Sequence, residues 1–400
     1  MNRDRAHFLL LNIGHFLDHL FTLVFATIAA LTLSREWNAD YATLLAYATP
    51  GFFAFGLFAL PAGWLADRWS RDGMMVVFFI GIGFSSIATG FASTPLQLGI
   101  GLFCIGIFAA IYHPVGLAIV TARWRNTGIR IAVNGVFGNL GVGGAALIAG
   151  ALIDHSDWRG AFIAPGIFSI ILGILYAALR WPELNTNTAS RTATAETVIS
   201  PTMKGILLRV SIIVFATTAL SSIIFQSTTF ALPKILDERL QDLARYLRDG
   251  EAATTIGSLA FLVFATASMA QLIVGKLLDR LGARPVFITV AIIQIIFFAL
   301  MPGLHDTYAL AVALGFMLGA FGQIPINDYL IGKMASGPQR ASIYGIRYVV
   351  SFTTLAAALP LIALVHANWG FDTLFLILAT TATLILAIVI RLPRQMPVMS

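Results

Sequence analysis

The sequence predicts an all-α polytopic membrane protein, with twelve transmembrane helices in two pseudo-symmetric six-helix bundles. Three observations predict it: a composition suited to lipid, apolar runs that recur along the chain, and an echo between its halves. Of the 400 residues, 58% are hydrophobic and 11% charged, whereas soluble domains carry about 25% charged residues. The net charge of +6 does not point to nucleic acid, because the charges sit in short stretches between apolar runs. A single cysteine, Cys104, excludes an intramolecular disulfide and a thiolate metal cluster.

The first apolar run follows "MNRDRAHF", where basic residues before apolar ones resemble a secretory signal. The run is too long for one and no small-residue cleavage site ends it, so it reads as an uncleaved first span. Spans are expected at 7–33, 41–66, 73–92, 95–122, 129–153 and 158–180, then at 204–233, 252–278, 284–303, 306–333, 339–366 and 369–391. Each is long enough, at about 1.5 Å per residue, to cross or nearly cross a hydrocarbon core of about 30 Å. Residues 181–203, rich in Thr, Asn and Ala, read as a cytoplasmic linker. They separate an N-terminal bundle, 1–180, from a C-terminal bundle, 204–400. Leu236, Leu240, Leu243 and Leu247 share one helical face, so 234–251 reads as an amphipathic segment on the outer surface.

Charge placement sets the orientation. Nineteen of the 25 basic residues fall on one side of an even number of spans, which puts both termini in the cytoplasm. In a bacterial cell this is the inner, or plasma, membrane. The halves also repeat. "GWLADRWSRDG" after span two and "GKLLDRLGARP" after span eight share G-x-L-x-D-R, and Gly63 and Gly275 are 212 positions apart. Pro114 of "YHPVG" and Pro325 of "QIPIN" are 211 apart. Two landmarks at nearly one offset indicate duplicated six-span units in the same orientation, a transporter plan.

"GWLADRWSRDG" resembles the signature of the major facilitator superfamily of secondary transporters, between its spans two and three. Ser70 replaces the signature's second glycine and Asp72 its last basic residue, whereas the second copy keeps Gly282. "GHFLDHLF" and "IYHPVG" resemble the fosmidomycin-resistance-like group within it. Span five, "GVFGNLGVGGAALIAG", is glycine-rich like the antiporter motif but lacks its G-P step. The resemblance implies the major facilitator fold, with spans one, four, seven and ten around a central cavity. It also implies that the paired loops, with Gly63, Asp67, Arg68, Arg71, Gly275, Asp279 and Arg280, latch the inner face during alternating access.

The groups that carry chemistry start with His15, Asp18 and His19, inside an apolar run. At about 100° per residue the three share one face. One Asp at a span centre costs about 2.5–3.5 kcal/mol on insertion scales, so this face should look into a cavity or the bundle interior. The functional reading is a proton site, Asp18 tuned by the imidazoles. The alternative is a polar cluster that only ties span one to its neighbours. His113, before the helix-breaking Pro114, joins the proton-coupling set. No metal is expected, since His15 and His19 at i, i+4 have neither an H-E-x-x-H motif nor a cysteine partner. Arg347 needs an anion, either Asp328 or a solute carboxylate or phosphonate, with snorkelling to the inner surface as the alternative. Gln226 of span seven and Gln323, Asn327 and Asp328 of span ten complete the substrate set.

These readings add up to a proton-coupled secondary transporter of a small organic solute, working by alternating access and exporting a drug-like or anionic compound. The alternative is import of an organic anion. The expected partners are the solute, protons and lipid, with no nucleic acid, no cofactor and a monomeric chain. No nucleophile constellation for an enzyme is present in the sequence.

Overall fold

The computed structural model describes residues 3–124, 127–184, 201–247, 252–334 and 340–393, with the backbone alone at 127–129, 201–209, 331–334, 340–349 and a few single positions. Among the described residues there is no strand, and eleven helices are long and apolar enough to cross a membrane. The last helix, Arg340–Val389, is two spans in one: Gly370 has φ 72° and ψ −178° and interrupts it. The twelve expected spans are therefore present. Most of the linker 181–203 lies outside the described residues.

The helix ends follow from local chemistry. Asp40 is extended and accepts the Thr43 backbone N–H at 2.6 Å, capping Tyr41–Arg68. That hydrogen bond holds the Asp40 carboxyl below the usual carboxylate range. The two copies of the repeated loop turn differently. Ser70 is extended and its Oγ accepts the Gly73 N–H at 3.0 Å, whereas Gly282 turns through a left-handed φ of 79°. A side-chain cap thus stands where the other copy uses glycine.

Two spans depart from regular helix. Span one, Arg3–Glu36, contains a π-helical turn at Ala29–Leu33, and Ser34 Oγ donates to the Ala29 carbonyl at 2.9 Å. Span four is broken between Pro95–Ala109 and Tyr112–Arg123. Pro114 has no N–H to offer the Ala110 carbonyl, so the ladder fails one turn before it.

Contacts divide the chain into two compact units, Met1–Ser190 with Phe230–Ala265, and Arg191–Thr229 with Thr266–Ser400. The boundary after Ser190 falls inside the expected linker, while residues 230–265 join the first unit. Phe230 packs against Phe52 at 5.5 Å between ring centroids, and Asp154 accepts the Thr254 N–H at 2.6 Å. Within this unit span five lies close on span one, where a side chain at Gly141 would collide with the Phe16 carbonyl. The second unit has its own aromatic core, with Phe298 stacked on Phe316 at 5.1 Å.

The expected amphipathic segment 234–251 divides. Span seven, Pro201–Arg239, continues through its first residues, and Lys234 pairs with Asp237 and Glu238 at 3.0 and 3.5 Å. Leu236 and Leu240 are buried, and a separate short helix follows at Gln241–Leu247. The side chain of Leu247 lies outside the described residues.

Candidate functional site

Span one brings His15 and His19 together because four residues make just over one helical turn; their ring centroids are 5.0 Å apart. The break in span four delivers His113 to the same place. Its ring meets His15 edge-on at 5.3 Å and His19 at 5.5 Å. One nitrogen from each of the three rings lies within 4.8 Å of the others. Asp18 has no exposed surface, and its Oδ2 lies 3.3 Å from His113 Nε2. All four residues of the expected proton-coupling set thus stand in one cluster inside the first unit.

A hydrogen-bonded frame holds the cluster. His15 Nδ1 lies 2.8 Å from the Asn134 carbonyl, which can only accept, so Nδ1 carries the proton. That leaves His15 Nε2 as the ring's lone-pair nitrogen, buried and without a hydrogen-bond partner among the described residues. The Asn134 side-chain amide donates to Asn12 Oδ1 at 3.0 Å and to Tyr112 Oη at 2.9 Å. Tyr112 donates onward to the Leu11 carbonyl at 2.7 Å and stacks on His15 at 4.8 Å. Asn12, Tyr112 and Asn134 escape a reading by ionisable groups alone. Their signal is a neutral polar residue within an apolar run, which must find a partner inside the bundle.

A second network lies between spans one, three and six. Asp72 Oδ1 and Oδ2 accept from Arg180 at 3.0 Å each, and Oδ1 accepts from Tyr176 at 2.7 Å. His7 Nε2 is 2.8 Å from Tyr176 Oη and 3.3 Å from Asp72. The departure of Asp72 from the loop signature therefore has a physical reason, since it is the counter-charge of a buried arginine. The neighbouring loop residues are at the surface. Asp67 pairs with Arg71 at 2.8 Å, and Arg68 lies 4.0 Å over the Trp64 ring. Gly63 sits against Pro114, where an added Cβ would lie 3.3 Å from its Cβ. A Cβ at Gly275 would meet no described atom within 4 Å, so the close packing that glycine allows is used in the first copy only. Asp279 and Arg280 are exposed.

The expected substrate set is less concentrated. Gln323 is buried and accepts from Gln294 Nε2 at 3.1 Å, so its carbonyl oxygen is engaged within the second unit. Asn327 is buried, Asp328 exposed and Gln226 half-buried. Beside Gln226, the hydroxyls of Thr228 and Thr229 bond back to carbonyls of their own helix, which suits packing. The side chain of Arg347 lies outside the described residues.

Comparison with known proteins gives this architecture a family. The model of the Major Facilitator Superfamily matches residues 11–243 and 242–398. The puromycin resistance protein pur8 of Streptomyces alboniger is 34% identical over 129 residues, which are 32% of this chain and 24% of that protein. The 4-hydroxybenzoate transporter PcaK of Pseudomonas putida is 27% identical over 162 residues, 40% of this chain and 36% of that one. The chain thus spans about a quarter to a third of the length of these two relatives. Among solved structures, a point mutant of the nucleoside transporter NupG matches with a TM-score of 0.74 at 17% identity, covering 96% of this chain and 99% of its own. A multi-pass helical fold, a transporter's loop signature present twice and a family match over both halves agree: the chain belongs to the Major Facilitator Superfamily.

Proposed function

We propose that the protein is a proton-coupled secondary transporter of a small organic solute. The observation that carries this reading is Asp18, a carboxyl with no exposed surface in the middle of a membrane span, 3.3 Å from His113. An ionisable group so placed is costly unless it exchanges a proton or meets a cargo. His113 stands beside Asp18, and His15 and His19 stand beside His113, so that carboxyl and three imidazoles form one cluster. The two six-span halves, 1–180 and 204–400, alternate access to a cavity at mid-depth, and Gly63, Asp67, Arg68, Arg71, Gly275, Asp279 and Arg280 serve the inner gate. The chain resides in the inner membrane as a monomer with both termini cytoplasmic, following its basic inner loops.

For the solute, the relatives support two classes. One is named for resistance to a drug and the other for transport of an aromatic carboxylate. Export of a drug-like or anionic compound is the first reading. Import of an organic anion, held by Arg347 with Gln226, Gln323, Asn327 and Asp328 around it, is the second. Proteoliposomes with an imposed pH gradient separate them when offered a panel of lipophilic cations, aromatic carboxylates and phosphonates. One class should accumulate against its own gradient, and collapsing the pH gradient should abolish accumulation. Equal movement with and without the gradient would overturn proton coupling, and no movement of any class would overturn the solute range.

A further inference from the structure

We propose that His15, His19 and His113, with Asp18 beside them, form a binding site for a divalent transition-metal ion with Zn²⁺-like chemistry. Three independent features support the site. Two histidines one turn apart on span one and a third from span four bring one ring nitrogen each within 4.8 Å of the others. A tetrahedral Zn²⁺ with nitrogen ligands at about 2.0–2.1 Å sets them about 3.4 Å apart, so side-chain shifts on the order of 1 Å close the set. The second feature is the frame. His15 Nδ1 donates to the Asn134 carbonyl at 2.8 Å while Nε2 is buried without a partner, the outer-shell arrangement that orients a ligating imidazole. The third is charge. Asp18 Oδ1 also has no hydrogen-bond partner among the described residues, and a carboxylate 3.3 Å from His113 offsets part of the charge of a divalent ion.

Imidazoles with one carboxylate and no thiolate favour Zn²⁺, Co²⁺, Ni²⁺ or Cu²⁺ over Mg²⁺ or Ca²⁺. Space beside the His15 lone pair exists because position 138 is glycine: a Cβ there would lie 2.6 Å from Nε2. The titratable groups that face the three rings are Asp18 of span one and Tyr112 of span four. Binding rests on the geometry alone and does not depend on the proton-coupling reading.

The test is a Co²⁺ titration of the purified, detergent-solubilised protein, followed by visible absorption and then by displacement with Zn²⁺. One ion per chain is expected, with the intense bands of tetrahedral Co²⁺. His113→Gln should lower affinity 10–100-fold. Gly138→Ala removes no donor and should weaken binding by a similar factor. Should His113→Gln fail to fold, Gly138→Ala and the wild type still decide. No binding by the wild type at 100-fold excess of Co²⁺ or Zn²⁺ overturns the site, and so does wild-type affinity in either folded variant. The titration uses no gradient and no solute, so it can fail while proton-driven transport stands, and the reverse.

Discussion

At the level of single residues, the first unit is held by two polar networks that differ in how far the sequence discloses them. His15, Asp18 and His19 are legible because they break an apolar run at helical spacing. His113 is legible as a neighbour of Pro114, but its approach to the other two histidines depends on tertiary packing. Asp72 is visible only as a departure from a loop signature. Its partner Arg180 lies 108 positions away, and no local pattern connects them. The pairing makes a prediction. Arg180→Gln leaves Asp72, a half-buried carboxylate, without its cation and should cost about 1–3 kcal/mol. The double variant Asp72→Asn, Arg180→Gln should recover much of that loss. Thermal unfolding in detergent measures both: wild-type stability in Arg180→Gln would show that the ion pair is dispensable, and equal stability of single and double variants would show that the loss does not come from the unpaired Asp72 charge.

At the level of elements, apolar runs and charged ends predict the spans to within a few residues. The break in span four was legible from Pro114, since a missing N–H is a property of the residue itself. The π-helical turn of span one was not legible, because Ala29–Leu33 is an ordinary apolar stretch. Nor was the division of 234–251. Its leucines keep helical spacing across Leu240, whereas the helix is interrupted there. In span five, Gly141 is a packing position, set against the backbone of Phe16. Gly141→Val should therefore push spans one and five apart and destabilise the protein by about 1–3 kcal/mol. A shift in unfolding temperature reads this, and an unchanged value would mean that the contact relaxes freely.

At the level of the whole molecule, the repeat gave the architecture, because duplication leaves an offset of 211–212 residues that needs no structure to be seen. The attachment of residues 230–265 to the first unit arises from packing between distant segments and has no counterpart in the repeat. The transporter family is likewise legible from two copies of one loop signature. The solute is not, since Gln226, Gln323, Asn327 and Asp328 are polar residues in apolar spans with no motif that names a ligand. In the proposed function, Asp18 is the group that couples protons to transport. The direct measurement compares Asp18→Asn with the wild type in proteoliposomes, using the solute that the wild type accumulates. The variant should still exchange solute between the two sides without a gradient while losing at least 90% of the accumulation that a pH gradient drives, by about the tenfold that corresponds to 1.4 kcal/mol or more. Accumulation at the wild-type level in folded Asp18→Asn would contradict the account.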